Sequence, residues 1–510
     1  MALATVIGLE IHVQLKTKSK MFCRCDNDGE NKPANTTICP VCLGQPGVLP
    51  TINQQAVEWT ILAGLALNCE IPETFRFERK NYFYPDLPKG YQITSSTNPP
   101  CLGGWLEITI NGAVKKLRLH HIHLEEDAAK NFHSADGKHT LVDYNRASTP
   151  LMEIVTEPDF RSPQEAKLFL QELRLLMRQL GISSADMEKG HLRCDANISL
   201  TDQMDNDGTV KKFYPKTEIK NLNSFKSVER ALEYEIKRQT KLWQEGSQPT
   251  QATRGWDESK GVTEEQRTKE EAHDYRYLPE PDLPPINLSQ GHSVINIERI
   301  KQGMPELPQA KRRRFMGEFA LSAENAKILS DDAGLANFFE QAISELRAWL
   351  IALGETEGTE EEIWQQGKAK LAKLTANWLT NKLLGIAAKE GGETINADNN
   401  ITPENFAEFI TLIHQNKINS TIAQKLLEMM YQTGKDPSVI MEEEDLSGSQ
   451  SDQDLEKIVD QIIKNNPAQV DQFKGGKEIL LQFFVGQVMK ETKGQADPQT
   501  IKDVLINKLK

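Results

Sequence analysis

The chain has 510 residues, which is enough for about three domains and a sizeable hydrophobic core. Its hydrophobic content of 38% and charged content of 26% are typical of a globular protein in water. The formal net charge of −13 argues against a protein that coats nucleic acid with its whole surface, although local basic patches remain compatible with it. No apolar run of about 18 residues is present, so we expect no membrane-spanning segment.

Two further features favour a cytoplasmic protein without membrane contact. The first residues, Met1–Ile7, lack the charged and then apolar layout of a signal peptide. Seven cysteines is an odd number in a chain of this length, so a secreted disulfide framework is not expected. An organelle protein that has lost its transit peptide would show the same features.

Three segments are predicted to be strands with one apolar face and one charged or polar face. They are Gly8–Gln14, Leu119–Glu125 and His191–Leu200, and in each of them apolar residues alternate with polar ones. Carboxylates gathered on one face of a sheet repel each other unless a cation lies between them. Because most of the donors are oxygens, Mg²⁺ is favoured, while the imidazole of His12 leaves Mn²⁺ possible.

The candidate ligands for this cation are Glu10, His12, Glu125 and Asp195. Glu126 joins them only if the strand ends or bulges beside Glu125, since adjacent strand residues face opposite ways. Periodicity alone favours an ordinary solvent-facing strand for each segment, and the recurrence of such strands in one domain makes the metal site an equal alternative.

Four of the seven cysteines fall within one short window, as Cys23-x-Cys25 and Cys39-x-x-Cys42. Two close pairs of this kind allow four thiolates to surround one ion tetrahedrally, which predicts a structural Zn²⁺ site. Four sulfurs leave no open position for a substrate, so we assign no catalysis to this site. The alternative is four unrelated reduced thiols.

Cations and aromatic residues gather in three other segments, 79–92, 143–150 and 216–223. Lysine and arginine beside a metal-binding sheet would suit a triphosphate whose charge builds up during transfer. The candidates are Lys80, Arg146, Glu218 and Lys220. For any one of these cations taken alone, a position on the solvent-exposed surface is favoured.

Residues 1–290 are predicted to form one α+β domain with a mainly antiparallel sheet. Ser162-Pro163-Gln164-Glu165 is typical of a helix start, and Gly181 ends that helix. A second helix is predicted over Ser227–Trp243, and the rigid stretch Pro279–Pro285 closes the domain.

The rest of the chain is predicted to be helical. Residues 291–400 form a helical domain and residues 401–510 a small all-α tail, with a helix start at Thr402-Pro403-Glu404. The last stretch, Lys464–Lys510, has eight lysines against five acids, so it is locally basic.

Several motifs are absent. The sequence contains no G-x-x-x-x-G-K-[ST] loop and no G-x-G-x-x-G fingerprint, so a nucleotide site would be built on the sheet. It also contains no G-x-S-x-G elbow and no amidase-type nucleophile segment. We therefore expect that the chain does not release ammonia from an amide by itself.

Taken together, these segments resemble the GatB family, the B subunits of the aspartyl/glutamyl-tRNA(Asn/Gln) amidotransferases. The resemblance covers nearly the whole chain and departs from the family at Ser148, where glycine is usual. The matching segments are 6–15, 39–47, 80–92, 123–127, 143–146, 150–159, 216–224 and 484–490.

The resemblance implies a ligase that forms a carbon–nitrogen bond with glutamine as amido donor. ATP would phosphorylate the side-chain carboxylate of misacylated Glu-tRNA(Gln), because a carboxylate is a poor electrophile. Ammonia would then displace the phosphate to give Gln-tRNA(Gln). The same chemistry on Asp-tRNA(Asn) would give Asn-tRNA(Asn), and either substrate fits the resemblance.

The resemblance also implies partners and a fold. An amidase subunit would supply ammonia through a channel, while a small third subunit would brace the pair, giving a heterotrimer. The first domain would be a cradle similar to glutamine synthetase, with Glu10, His12, Glu125, Asp195 and neighbouring Glu126 around Mg²⁺. Lys80, Arg146, Glu218 and Lys220 would contact phosphates or the glutamyl group, and a YqeY-like tail would contact the tRNA.

Two other functions compete with this one. A zinc-stabilised adaptor that binds tRNA would need no carboxylates around a cation. A stand-alone metal hydrolase would be active without partner subunits.

Overall fold

The structure, a computed structural model, falls into two compact units, Met1–Leu307 and Pro308–Lys510. It describes residues 3–134, 136–205, 208–268, 275–289, 294–352, 358–389, 401–444, 446, 452–477, 479–492 and 498–509. The domain boundaries predicted at 290/291 and 400/401 both lie outside these residues, so the three-domain division stays a prediction. Within these ranges, no helix is long and apolar enough to span a bilayer.

The first unit is rich in strands, and most of them pair in one large sheet. Its strands are β1 (Ala4–Gln14), β2 (Thr74–Phe75), β3 (Glu78–Asn81), β4 (Tyr91–Thr94), β5 (Cys101–Leu102), β6 (Trp105–Ile110), β7 (Ala113–Glu126), β8 (Lys130–His133), β9 (Thr140–Asp143), β10 (Pro150–Thr156), β11 (Leu192–Thr201), β12 (Thr217–Leu222), β13 (Ala252–Asp257), β14 (Val262–Thr268), β15 (Leu278–Pro279) and β16 (Ile286–Asn287).

Twelve of these strands pair in the order β14-β13-β12-β11-β1-β10-β7-β4-β3-β15, with β5 and β6 added on β7. Within the described residues every pair is antiparallel except β12–β13. The strands β8 and β9 form a separate hairpin, and β16 pairs with β2. The predicted α+β class is therefore confirmed.

One face of the large sheet is covered by helices α1 (Gln54–Ala66), α2 (Pro163–Gln179) and α3 (Phe225–Gln244), and α4 (Ile297–Gln302) packs on α1. Leu9, Ile11 and Val13 of β1 are almost fully buried in the core against them. Burying each of these side chains contributes about 1.5–3 kcal/mol, which holds the strand in this register. Since a strand alternates its faces, Glu10 and His12 must then lie on the opposite, open face.

The helices predicted in this unit are confirmed with small shifts at their ends. Ser162 caps α2 by accepting a hydrogen bond from the Glu165 backbone N–H (3.3 Å). In a capping box the Glu165 carboxylate would accept a hydrogen bond from the N–H of Ser162. Here it accepts from the N–H of Arg161, one residue earlier. The helix predicted over Ser227–Trp243 is α3, which begins two residues earlier.

The second unit is helical. Its helices are α5 (Pro308–Phe319), α6 (Ala323–Asp331), α7 (Ala333–Ala352), α8 (Glu360–Trp378), α9 (Leu384–Lys389), α10 (Pro403–His414), α11 (Ser420–Thr433), α12 (Pro437–Glu443), α13 (Asp452–Asn465), α14 (Pro467–Lys474), α15 (Leu480–Glu491) and α16 (Pro498–Leu509). Two hydrophobic clusters hold them together, one within residues 315–446 and one within 455–509. Thr402 caps α10, as predicted.

Candidate active site

A row of ionisable side chains crosses four neighbouring strands on the open face of the sheet. In the ladders, His123 of β7 lies opposite Glu153 of β10, Glu153 opposite His12 of β1, and His12 opposite Arg193 of β11. Glu125 follows His123 on the same face of β7. The antiparallel register therefore gathers acids, imidazoles and a guanidinium from residues that are far apart in the chain.

Three of these residues form a group that could hold a metal ion. The His12 Nε2 lies 3.3 Å from Glu153 Oε2 and 3.8 Å from Glu125 Oε1. One donor atom from each of the three residues lies within 4.8 Å of the other two. The side chains of Glu125 and Glu153 are only 5% and 15% exposed, so their charges are poorly screened by water.

The neighbouring carboxylates raise the pKa of two imidazoles, those of His12 and His123. Burial alone would lower the pKa of His123, but Glu153 and a hydrogen bond to Glu125 outweigh it and raise that pKa to about 10. Burial is likewise outweighed at His12, whose pKa rises beside Glu153. The same two histidines hold the pKa of Glu153 well below its usual range, against the effect of burial. Carboxylates and imidazoles thus offset each other's charge in this group, and a bound cation would compete with the protons on the imidazoles.

A buried carboxylate, Asp127, lies at one end of this row. It accepts hydrogen bonds from Arg146 Nη2 (2.8 Å), Arg193 Nη2 (2.9 Å) and Gln14 Nε2 (3.1 Å). Burial would raise the pKa of Asp127, but the two guanidinium groups lower it to about 2. Two arginines bind one carboxylate, which leaves net positive charge beside the acidic group, that is, His12, Glu125 and Glu153. Arg146, predicted to contact phosphate, is one of them.

Two other predicted ligands, Glu10 and Asp195, lie on β1 and β11, two residues along each strand from this row. Glu10 and Asp195 are directly opposite each other in the β1–β11 ladder. Glu10 accepts a hydrogen bond from Asn197 Nδ2 (3.0 Å), and Asp195 is paired with Lys220 Nζ (2.6 Å). Among the described residues, neither belongs to the three-residue group. Their predicted metal role stays a prediction.

The predicted cations are also near carboxylates. Lys220 lies 3.2 Å from Glu218 as well as close to Asp195, and these charges raise the pKa of Lys220 against burial. Lys80 Nζ lies 5.0 Å from the ring centre of Tyr275, and burial is outweighed by Glu125 in raising its pKa. Lys80 is thus the cation on the β3 side of the acidic group.

Glu126, the conditional ligand, has its own partners. The strand β7 continues through Glu126, so its side chain is not on the face of Glu125. Its carboxylate pairs with Lys89 and accepts a hydrogen bond from the N–H of Ile93 (2.9 Å). The strand neither ends nor bulges before Glu126, which was the condition for its joining the cation.

The four cysteines of the predicted zinc site come together. The Sγ atoms of Cys23, Cys25, Cys39 and Cys42 all lie within 4.8 Å of one another. The turn after Cys39 is closed by hydrogen bonds from Cys39 N–H to Cys42 Sγ and from Leu43 N–H to the Cys39 carbonyl. Tetrahedral coordination by four sulfurs is the preference of Zn²⁺, so this donor set fits a structural zinc ion.

The electrostatics of the cysteines agree with close packing around one point. The pKa of Cys42 falls to about 5, mainly through a hydrogen bond from Cys23 and with help from the Lys20 ammonium. The pKa of Cys25 rises to about 11 through burial and its neighbours. Lys20 is fully buried and donates to the Tyr144 carbonyl (3.3 Å), so its cation offsets the thiolate charge.

Asn145 attaches the loop between the two cysteine pairs to the sheet domain. Its Oδ1 accepts from the N–H groups of Thr36 and Thr37 (both 2.9 Å), and its Nδ2 donates to the Pro33 carbonyl (2.9 Å). Gly29 packs so closely that an added Cβ would lie 3.0 Å from the Asn145 Cβ. The cysteine loop is therefore held by a buried amide as well as by its sulfurs.

Sequence reasoning missed Glu153, Asp127, Arg193 and Asn145. Glu153 stands alone in the apolar run of β10, and a single acid in a buried strand is a recognisable signal. Arg193 was visible as a polar-face residue, but only the β1–β11 register places it opposite His12.

Comparison with known proteins identifies the relatives of this chain. The family model described as the GatB/GatE catalytic domain matches residues 5–293. A second model, described as the GatB domain, matches residues 361–509. The first match contains every residue of the acidic group and of the cysteine site.

Full-length relatives agree with these matches. A protein of Persephonella marina, named as the B subunit of aspartyl/glutamyl-tRNA(Asn/Gln) amidotransferase, is 45% identical over 505 residues, covering 99% of each chain. Proteins with the same name from Thermodesulfovibrio yellowstonii and Carboxydothermus hydrogenoformans are 46% and 43% identical. The similarity covers 99% of this chain and 99% and 98% of theirs.

Proposed function

Because this chain belongs to the family of the aspartyl/glutamyl-tRNA(Asn/Gln) amidotransferase B subunits, we propose that it activates a carboxylate on misacylated tRNA and passes ammonia to it. In the first step, a side-chain carboxylate oxygen of Glu-tRNA(Gln) or Asp-tRNA(Asn) attacks the γ-phosphorus of ATP, and ADP leaves. In the second, ammonia attacks the acyl carbon, phosphate leaves, and a proton from the ammonia passes to the phosphate. The product is Gln-tRNA(Gln) or Asn-tRNA(Asn).

The observation that supports this proposal is the group of His12, Glu125 and Glu153. Two carboxylates and one imidazole fit Mg²⁺, or Mn²⁺ in its place, and both ions neutralise phosphate charge when bound. Glu125 and Glu153 would hold the ion from neighbouring strands, and His12 would complete the set. Glu10 and Asp195, opposite each other two residues along β1 and β11, are proposed as further ligands of the bound cation.

The cations around this group would bind the anionic substrate. Arg146 and Arg193 both bind the carboxylate of Asp127, so two positive charges face one negative charge there and can stabilise transferred phosphate. Lys80, on the β3 side of Glu125, would contact the phosphate or the glutamyl group. Lys220, which is paired with Glu218 and Asp195, would contact the phosphate or the glutamyl group from the β12 side of the sheet.

The remaining parts of the proposal concern partners and location. An amidase subunit would supply ammonia, while a small third subunit would stabilise the pair, in the cytoplasm. The zinc site would be structural. The C-terminal tail would bind the body of the tRNA through its lysines, and that contact should weaken with salt.

The test is a Glu125→Gln variant in the complex reconstituted with the amidase and small subunits. We expect ATP hydrolysis stimulated by misacylated tRNA to fall by about two orders of magnitude or more, while tRNA binding stays close to normal. Glu70→Gln, an exposed acid outside the site, is the matched control. Undiminished turnover in Glu125→Gln would refute the proposed metal role.

The alternative, a tRNA-binding adaptor without catalysis, predicts no change in turnover from any acid on the open face. It is disfavoured because an adaptor has no need of two poorly exposed carboxylates, Glu125 and Glu153, gathered beside His12 on one face of the sheet. Assaying Glu125→Gln and Glu153→Gln separately therefore discriminates between the two functions.

A further inference from the structure

A cavity of about 370 Å³ opens at the Gln14 end of β1, beside the acidic group. Its wall includes Gln14–Thr17, residues 27–30 of the cysteine loop, the β8 strand and the Ser184–His191 region. Arg146, which binds Asp127, also lines it. The cavity is thus connected to the candidate active site through shared residues, yet no predicted role uses it.

Three lysines line this cavity without a carboxylate partner. Lys16, Lys130 and Lys189 are exposed, and within the described part of the chain none makes an ion pair within 4.0 Å. Three acids also line the wall: Asp143 accepts from two backbone N–H groups, Glu30 lies 3.3 Å from His191, and Asp28 is the third. The three lysines and Arg146 outnumber these acids by one. Unengaged cations around a concave surface attract an anionic ligand.

An exposed aromatic ring accompanies these cations. Phe132 is 44% exposed on the β8–β9 hairpin, and Lys130 Nζ lies 4.8 Å from its ring centre. Single-stranded nucleic acid is bound by this combination, because bases stack on an aromatic face while lysines contact the phosphates. A small inorganic anion would need the cations and not the ring.

The distance from the cavity to the acidic group fits an aminoacyl nucleotide. Gln14 and His12 are two residues apart on one face of β1, which is about 6.6 Å along the strand. The five bonds from the ester oxygen to the side-chain carboxylate carbon of a glutamyl group span about 6 Å when extended. A terminal ribose in the cavity could therefore present that carboxylate at His12.

We propose that this cavity binds the 3′-terminal nucleotides of the misacylated tRNA, with Lys16, Lys130 and Lys189 on the phosphates and Phe132 against a base. The inference rests on the proposed function and specifies where its tRNA substrate enters the site. The loop between the cysteine pairs forms one wall of the cavity, which gives the zinc site a role in substrate binding.

The test uses the full chain in its reconstituted complex, with the triple variant Lys16→Ala, Lys130→Ala, Lys189→Ala and the single variant Phe132→Ala. We expect the KM for misacylated tRNA to rise at least about 10-fold in the triple variant, with the KM for ATP unchanged. The dependence of log affinity on log salt should become shallower by about 0.7 for each lost phosphate contact. All four side chains are exposed, so folding should be preserved.

Lys18→Ala is the matched control, because Lys18 is exposed two residues beyond Lys16 and does not line the cavity. A second readout is independent of turnover: a photoreactive 3′-terminal adenosine should crosslink to residues 130–132 or 184–191.

Three results would overturn the inference. They are unchanged tRNA KM in the triple variant, crosslinks confined to other segments, or a rise in the KM for ATP alone, which would assign the cavity to ATP. Failure of the proposed function is distinguishable, because it would appear as full activity in Glu125→Gln whatever the lysine variants do.

Discussion

The carboxylate of Glu153 lies 3.3 Å from the imidazole of His12, directly across the β10–β1 ladder. The same carboxylate oxygen lies 3.2 Å from His123 on the other side. One acid from the middle strand therefore bridges two histidines of the neighbouring strands. This makes Glu153 the centre of the group that could hold a metal ion.

Replacing Glu153 with Gln should weaken binding of Mn²⁺ or Mg²⁺ by at least about 10-fold, because one of three charged or basic donors becomes neutral. Calorimetric titration with Mn²⁺ measures this directly, and the ATPase assay should show a parallel loss. Glu157→Gln is a suitable control, since Glu157 follows the same strand but lies outside the group. Equal Mn²⁺ affinity in both variants would exclude Glu153 as a ligand.

Replacing Cys42 with Ser should abolish zinc binding, which we expect at about one ion per chain in the unmodified protein. The free energy of unfolding in urea should fall, by on the order of a few kcal/mol, because metal binding contributes to folding. Elemental analysis and denaturation measure the two effects. Cys69→Ser is the matched control, because its hydroxyl can still donate to the Gly103 carbonyl as the thiol does (3.0 Å). Zinc-free native protein would contradict the assignment.

Replacing Asn145 with Ala should free the cysteine loop from the sheet domain. The N–H of buried Thr37 loses its acceptor and the Thr37 hydroxyl loses the nearer of its two acceptors, which costs about 2 kcal/mol. Urea denaturation measures the cost, and limited proteolysis should show new cleavage within residues 26–38. Asn31→Ala is the matched control: Asn31 lies in the same loop, is exposed, and makes no side-chain hydrogen bond to the described residues. A resistant loop in Asn145→Ala would show that the sulfurs and the hydrogen bonds of Asn35 hold it without Asn145.

Replacing Ser148 with Gly should stabilise the protein by about 0.5–1 kcal/mol. Ser148 has a φ of +68°, which strains a residue with a Cβ, and its buried hydroxyl has no partner among the described residues. The family resemblance already indicated glycine here. Asn111→Gly should change little, because asparagine tolerates its φ of +50°. If urea denaturation shows that Ser148→Gly is destabilised, the hydroxyl has a structural role.

Much of the site was predictable because strand alternation is a local property. Leu9 and Ile11 are apolar, so His12 had to face the other way, and the same holds for Glu125, which alternates with Ile122 and Leu124. The cysteine spacing likewise determined the sulfur cluster. The sequence also indicated Arg146 as a cation near the site.

The contribution of Glu153 could not be predicted in the same way. Its neighbours Met152 and Ile154 are apolar, and so are Leu151 and Val155, so β10 has no alternating pattern. Only pairing with β1 and β7 places Glu153 between His12 and His123. Glu10 and Asp195 show the converse, because their pattern is clear but their row lies two residues from the acidic group.

The sequence by itself therefore determined which residues face the open side of the sheet and which sulfurs meet, because both depend on spacing within short segments. Only the tertiary structure decided which acids share one row, which arginines converge on Asp127, and that a lysine-lined cavity lies beside them. The physical reason is that strand order and register arise from packing α1, α2 and α3 on the far face. The pairing of β1 with β10 and β11 joins segments more than a hundred residues apart, and no local pattern records it.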